Sequence, residues 1–174
     1  ADKFVHELVD SIIGDNYPVP DRMLVHNEQV VHEYLQWAMC GSPRPKGKFK
    51  LYAVEGGTAA MCYIFKSMKT NRLLNAGDTI ALGTPIFTPY LEMPHLEDYD
   101  LKIVNIQATQ ENRWQFDDAE LDKLLDPKIK AFFLVNPGNP SAVALSAKTI
   151  AKIGAIIKKR PDLILLTDDV YGTF

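Results

Sequence analysis

The chain has 174 residues, 47% of them hydrophobic, which is enough for one substantial core and argues against disorder as the main reading. A net charge of -3 gives no general attraction to phosphate backbones or anionic lipid, so neither a nucleic acid nor a membrane is expected as a partner. No apolar run approaches the roughly 20 residues of a membrane span, and Ala1-Asp2-Lys3-Phe4-Val5-His6-Glu7 lacks the basic-then-apolar order of a signal peptide, which makes the cytoplasm the expected compartment.

In chain order, the pattern predicts a helix over residues 3–13 closed by Gly14, then a Pro-containing link over 15–22. A second helix over 27–40 carries Val30, Val31, Tyr34, Leu35 and Ala38 on one stripe. Residues 1–26 therefore read as an N-terminal helix and link, and 27–174 as one larger domain. The basic run Arg44-Pro45-Lys46-Gly47-Lys48-Phe49-Lys50 is punctuated by Pro and Gly and reads as a solvated loop. Strands over 49–54, 79–82, 101–106, 131–135 and 163–166 alternate with helices over 57–69, 117–125 and 146–159, with a short helix or turn over 89–96. Asp117 and Glu120 fit a capping box, and Ile150, Ile153, Ile156 and Ile157 are expected on the inward side of their helix. Cys40 and Cys62 sit in separate predicted helices without a CxxC pair, so buried free thiols are expected rather than a disulfide or a metal site. Near-continuous apolar strands between amphipathic helices predict an α/β fold, a mostly parallel sheet with helices on both faces. The chain stops at Phe174, shortly after an Asp/Tyr cluster where a further element is expected, so the domain reads as incomplete.

Four polar clusters stand at predicted strand ends: Glu55-Gly56-Gly57-Thr58, Thr84-Pro85-Ile86-Phe87, Asn136-Pro137-Gly138-Asn139-Pro140-Ser141 and Thr167-Asp168-Asp169-Val170-Tyr171. Open α/β sheets present chemistry to a ligand at such ends. Gly57 and Thr58, where a strand hands over to a helix, could hold a phosphate on backbone N–H groups and a hydroxyl; a capped tight turn explains them equally. They form neither GxGxxG nor GxxxxGK[ST], which argues against a dinucleotide or nucleoside-triphosphate site and ranks a nicotinamide-dependent oxidoreductase last. Phe87 could stack on a planar ligand, although alone it reads as a core residue. Asn139 could donate to a ligand oxygen, although Asn, Gly and Pro in a row also make a turn. Asp168 is expected as a buried carboxylate needing a cationic partner, for which a protonated pyridine nitrogen would serve. Tyr171 could reach the same ligand, while Asp169 is expected to point away. Ser146-Ala147-Lys148 has the outline of a Ser-x-Lys site, but it opens a helix and reads as surface.

Phosphate cradle, stacking aromatic, amide donor, acid and phenol together describe pyridoxal 5′-phosphate, and at these residues the chain resembles the aspartate aminotransferase superfamily of fold-type I pyridoxal-phosphate enzymes. The resemblance covers nearly the whole chain and corresponds to that family's large domain. The runs Tyr52-Ala53-Val54-Glu55-Gly56-Gly57-Thr58-Ala59-Ala60-Met61 and Asn136-Pro137-Gly138-Asn139-Pro140-Ser141-Ala142-Val143 look most like its bacterial L-aspartate 4-decarboxylase branch, whose members also transaminate. The resemblance implies that Gly57 and Thr58 hold the phosphate, Phe87 stacks on the pyridine ring, Asn139 and Tyr171 bond its phenolic oxygen, and Asp168 pairs with its nitrogen. Tyr17 resembles the family tyrosine that reaches the phosphate of a neighbouring subunit, so a homo-oligomer, dimer or larger, is implied. Also implied are L-aspartate as substrate, alanine and carbon dioxide as products, and a Schiff-base lysine beyond Phe174. The usual Asn-Pro-Thr-Gly ending is here Asn139-Pro140-Ser141-Ala142, which keeps the amide and changes the following turn. The alternatives are another class I/II aminotransferase or, for the chain as given, a non-catalytic large-domain piece that at most binds the cofactor.

Overall fold

The computed structural model describes residues 54–172, and all of these except Val54 and Glu55 fall in a unit spanning Gly56–Gly172. The helices expected over 3–13 and 27–40, all but the last residue of the strand expected over 49–54, and the boundary between 1–26 and 27–174 lie outside the described residues, as do Tyr17 and Cys40.

The order of elements is α1 (Gly57–Thr70), β1 (Thr79–Thr84), α2 (Pro89–Glu92) running into a 3-10 turn (Met93–His95), β2 (Lys102–Gln107), α3 (Asp118–Asp122) running into a second 3-10 turn (Lys123–Leu125), β3 (Ile129–Val135), α4 (Ala147–Lys159) and β4 (Ile164–Asp168). The strands form a parallel sheet in the order β2-β1-β3-β4. Side chains alternate between its faces with the strand period of two. Ile80, Leu82, Ala131, Phe133 and Val135 pack with Met61, Phe65 and Met68 of α1. Ala81, Phe132 and Leu134 pack on the other side with Leu121, Leu124, Ile153 and Ile156. Burial on both faces explains why the central strands β1 and β3 read as nearly unbroken apolar runs. Ile129 breaks the alternation: Thr79 pairs with Ile129 but Ile80 pairs with Ala131, so Lys130 is an extra residue and Ile129 turns to the second face.

This order contains a topological switch. The connection leaving β1 runs outward to β2, and Tyr90, Leu91 and Met93 within it pack on the α1 face. The connection leaving β3 runs the opposite way to β4, and its helix α4 packs on the other face. Right-handed crossovers in opposite directions must lie on opposite faces, so the chain parts between β1 and β3 and leaves a crevice at their carboxyl ends.

Three expectations are corrected. Cys62 is exposed, not buried, because the inward stripe of α1 is Met61, Phe65 and Met68, and position 62 falls off it. Ile150 is 50% exposed, while Ile153 and Ile156 are buried and Ile157 packs at the margin. At about 100° per residue, the stripe of α4 runs through Thr149, Ile153 and Ile156, and Thr149 fills the first slot with its hydroxyl 3.2 Å from Gln115 Oε1. Asp117 occupies the N-cap of α3, but no side-chain capping bond forms. Its carboxylate accepts from the Asn112 amide, and Glu120 accepts from the Gln107 N–H at 2.7 Å and from Lys123 Nζ at 2.7 Å, so outside donors displace the box. The cap that does form is Ser146 on α4, whose hydroxyl accepts from the Thr149 N–H at 3.2 Å.

Candidate active site

The crevice is built from four chain turns. At the first, Gly56 precedes α1 with φ 118°, a conformation that L side chains rarely adopt, so glycine is required to aim the chain into the helix. The Ala60 N–H donates to the Gly56 carbonyl at 2.9 Å as the first helical bond. The amides of Gly57, Thr58 and Ala59 precede that ladder, and Gly56 at the N-cap has no side chain to cap them. A Cβ placed on Gly57 would meet nothing within 4 Å, so open space adjoins these donors. Anions are favoured there by the N–H groups and by the helix dipole.

The second turn, after β1, presents Phe87 with 37% of its surface exposed, so the core reading of this residue fails. The third turn, after β3, is stapled by its own backbone. The Asn136 N–H donates to the Asp168 carbonyl at 3.0 Å, the Leu145 N–H to Asn136 Oδ1 at 2.8 Å, and the Gly138 N–H to the Val143 carbonyl at 2.9 Å. A Cβ at Gly138 would collide with Ser141 Oγ. Asn139 is thereby held, half-buried, on a closed loop. The fourth turn, after β4, carries Asp168 and Tyr171.

Asp168 is half-buried rather than buried, and its environment differs from the expected one. Its Oδ2 accepts from the Tyr90 hydroxyl at 3.0 Å and its Oδ1 from the Val170 N–H at 3.1 Å. Ion pairs among the described residues join Lys69 to Asp98, Lys123 to Glu120, Lys152 to Asp122 and Arg160 to Asp162, and none includes Asp168. Burial first, then the Asp168 charge and the hydrogen bond to it, hold the Tyr90 phenol well above the ordinary tyrosine range. Sequence reasoning missed Tyr90. The available signal was its place one helical turn after Phe87, beyond Pro89, which seats both rings at the end of β1 with centroids 6.4 Å apart.

Gly57, Thr58, Phe87, Asn139, Asp168 and Tyr171 line a single cleft of about 240 Å³, completed by Tyr90, Met61, Val135 and Val170. Tyr17 lies outside the described residues. Asp169 is not in the cleft wall, and its carboxylate accepts from Thr167 Oγ1 at 3.1 Å. Lys148 is exposed on α4, and no lysine or arginine lines the cleft among the described residues. Those residues hold no group of three or more side chains able to bind a metal ion, and no helix long and apolar enough to cross a membrane.

Comparison with known proteins gives a consistent set of matches. The family model for aminotransferase class I and II matches residues 53–174. A bifunctional aspartate aminotransferase and L-aspartate beta-decarboxylase of Pseudomonas is 55% identical over 172 residues, covering 98% of this chain and 32% of that protein. A probable aspartate/prephenate aminotransferase of Rhizobium leguminosarum is 30% identical over 115 residues, covering 66% of this chain and 28% of the relative. Among solved structures, an alanine aminotransferase from Pyrococcus furiosus superposes with a TM-score of 0.56 at 28% identity, over 66% of this chain and 27% of that one. Cystalysin from Treponema denticola, described as containing a pyridoxal 5′-phosphate cofactor, superposes with a TM-score of 0.54 at 23% identity over 64% of this chain and 27% of its own, a likeness of fold. The chain thus spans about a third or less of the length of the relatives it matches.

Proposed function

The chain belongs to the class I and II aminotransferase family, and from that premise we propose that it supplies the pyridoxal 5′-phosphate pocket of an enzyme that removes the 4-carboxyl group of L-aspartate, giving alanine and carbon dioxide, and that also transaminates. The observation carrying the cofactor is the cleft at the switch point, where an anion cradle, an exposed aromatic, an amide and a carboxylate with no cationic partner among the described residues converge. The substrate is supported by the 55% identity to the Pseudomonas protein over 172 residues.

The residues present suit the group chemically. The amides of Gly57 and Thr58, which precede the helical ladder, would with the Thr58 hydroxyl be donors for a phosphate, and Phe87 would offer a face to a flat ring. Asn139 and Tyr171, both in the cleft wall, would donate to its phenolic oxygen. Asp168 accepts hydrogen bonds and carries a charge that favours a protonated ring nitrogen. When bound, pyridoxal phosphate supplies an electron sink for the electron pair released at the substrate's Cα. The chain's own part would be to hold that group, offer the Phe87 face to its ring, and keep a negative charge at Asp168. The reading includes a cytoplasmic homo-oligomer, dimer or larger, with Tyr17 reaching the phosphate of a neighbouring subunit. One observation favours a second reading for these 174 residues taken alone: no lysine lines the cleft among the described residues, so the isolated chain would at most bind the cofactor.

The test is to feed the native-length protein L-aspartate labelled with carbon-13 at C4. Label released as carbon dioxide with unlabelled alanine is expected. Label retained in oxaloacetate alone would keep the family and remove the decarboxylation, leaving another class I/II aminotransferase; no turnover by cofactor-loaded protein would remove aspartate as substrate.

A further inference from the structure

We propose that Tyr90 is a positioning residue for Asp168: its hydroxyl fixes the plane of the carboxylate so that a free lone pair is presented to a cationic ring nitrogen in the cleft. The inference rests on the cofactor reading above. Each oxygen of Asp168 receives one donor, Tyr90 OH on Oδ2 at 3.0 Å and the Val170 N–H on Oδ1 at 3.1 Å. A carboxylate has about four lone-pair sites, so two donors on different oxygens stop its rotation and still leave room for a third. The backbone donor comes with the turn after β4. The phenol is a long-range choice, 78 residues away in sequence.

Tyr90 is itself immobilised. Its ring lies 6.0 Å from Phe133 and 6.4 Å from Phe87, centroid to centroid, so swinging away would dismantle an aromatic cluster continuous with the core. The helix that carries it starts with Pro89, whose fixed φ suits a first turn. A neutral donor also matters electrically. A lysine here would pair with Asp168 and cancel the charge on which the ring nitrogen depends, whereas a phenol orients the carboxylate and leaves the charge in place. Because burial and Asp168 both oppose its ionisation, the phenol stays a donor throughout the physiological range.

The experiment is a double-mutant cycle on the native-length protein, with pyridoxal phosphate affinity read by absorbance titration of wild type, Tyr90→Phe, Asp168→Asn and the double variant. Thermal unfolding of each protein without cofactor is the control for packing. Tyr90→Phe keeps the ring, so its effect reports on the hydroxyl. It is expected to weaken affinity roughly tenfold when Asp168 is present and no more than about twofold when Asp168→Asn is already in place. Equal losses in both backgrounds would overturn the inference, since the hydroxyl would then act without Asp168. A lowered unfolding midpoint with unchanged affinity would overturn it too, because that is what a purely structural tyrosine does. Wild-type protein that takes up no pyridoxal phosphate would defeat the cofactor reading and this inference together, whereas uptake with additive losses defeats only the inference.

Discussion

Ala142 shows how much a single backbone position can cost. It has φ 55°, in the left-handed region, at the point where its N–H closes the Asn139 loop by donating to the Gly138 carbonyl at 2.8 Å. A Cβ in that region costs about 1–2 kcal/mol, part of which a glycine would return in extra freedom of the unfolded chain. Ala142→Gly is therefore expected to stabilise the fold by about 1 kcal/mol, and Ala142→Val to destabilise it by more than that, both read as shifts in the urea midpoint. A midpoint unmoved by glycine would mean the loop does not hold that conformation in solution. The resemblance flagged Ala142 as a departure from a glycine, but only the dihedral angle says what the departure costs. Cys62 makes the complementary point: a thiol in an amphipathic helix can be placed on either side by one step of about 100°, and composition alone could not choose.

At the scale of elements, Arg160 ties the second layer together. It is 8% exposed at the end of α4, and its guanidinium donates to the Leu124 carbonyl at 2.8 Å, the Asp126 carbonyl at 2.6 Å and the Ile129 carbonyl at 2.9 Å. It thus secures the 3-10 turn after α3, the entry to β3 and the end of α4 with one planar fork. Arg160→Ala is expected to destabilise the fold by about 3 kcal/mol in chemical denaturation, because buried carbonyls lose their donors. Asp162, which also accepts from Arg160, is 57% exposed, so Asp162→Asn should have a much smaller effect. Hydrogen bonding from Arg160 lowers the Asp162 pKa in the fold. A carboxyl lowered on folding contributes fully above its unfolded pKa of about 3.9 and loses that contribution as pH falls through the lower folded value. The stability gap between wild type and Asp162→Asn should accordingly be constant near neutrality and close only in acid. A gap that widened as pH fell would contradict the assigned direction. Neither residue announced itself in the sequence, since the carbonyls that Arg160 serves lie 31 to 36 residues away.

For the whole molecule, the decisive arrangement is the parting of the chain between β1 and β3, which brings the ends of β1, β3 and β4 and the start of α1 into one cleft. If the proposed function holds and the cleft binds the cofactor through Asp168, Asp168→Ala in the native-length protein should reduce turnover at least a hundredfold, on the order of the cost of leaving a partly buried charge unpaired. Near-normal turnover would remove Asp168 from the chemistry. Much of this was readable in advance, for identifiable reasons. Strand and helix periods are local properties of side chains, so the described elements were predictable to within a few residues, and parallel pairing follows from strands buried on both faces. Glycine, proline, asparagine and aspartate mark strand ends because turns need them, which is why Gly57, Thr58, Phe87, Asn139, Asp168 and Tyr171 could be named from the sequence. Their convergence was implied by the family resemblance and by no local pattern, because it depends on strand order. The Tyr90 bond to Asp168, the eviction of the Asp117/Glu120 capping box by Asn112 and Gln107, and the exposure of Ile150 could not be read in advance. The sequence by itself determined what each segment is and which residues stand at its end. Which of those ends meet, and which donor reaches which acceptor, only the tertiary structure decided, because those contacts arise when distant segments pack and no local pattern records them.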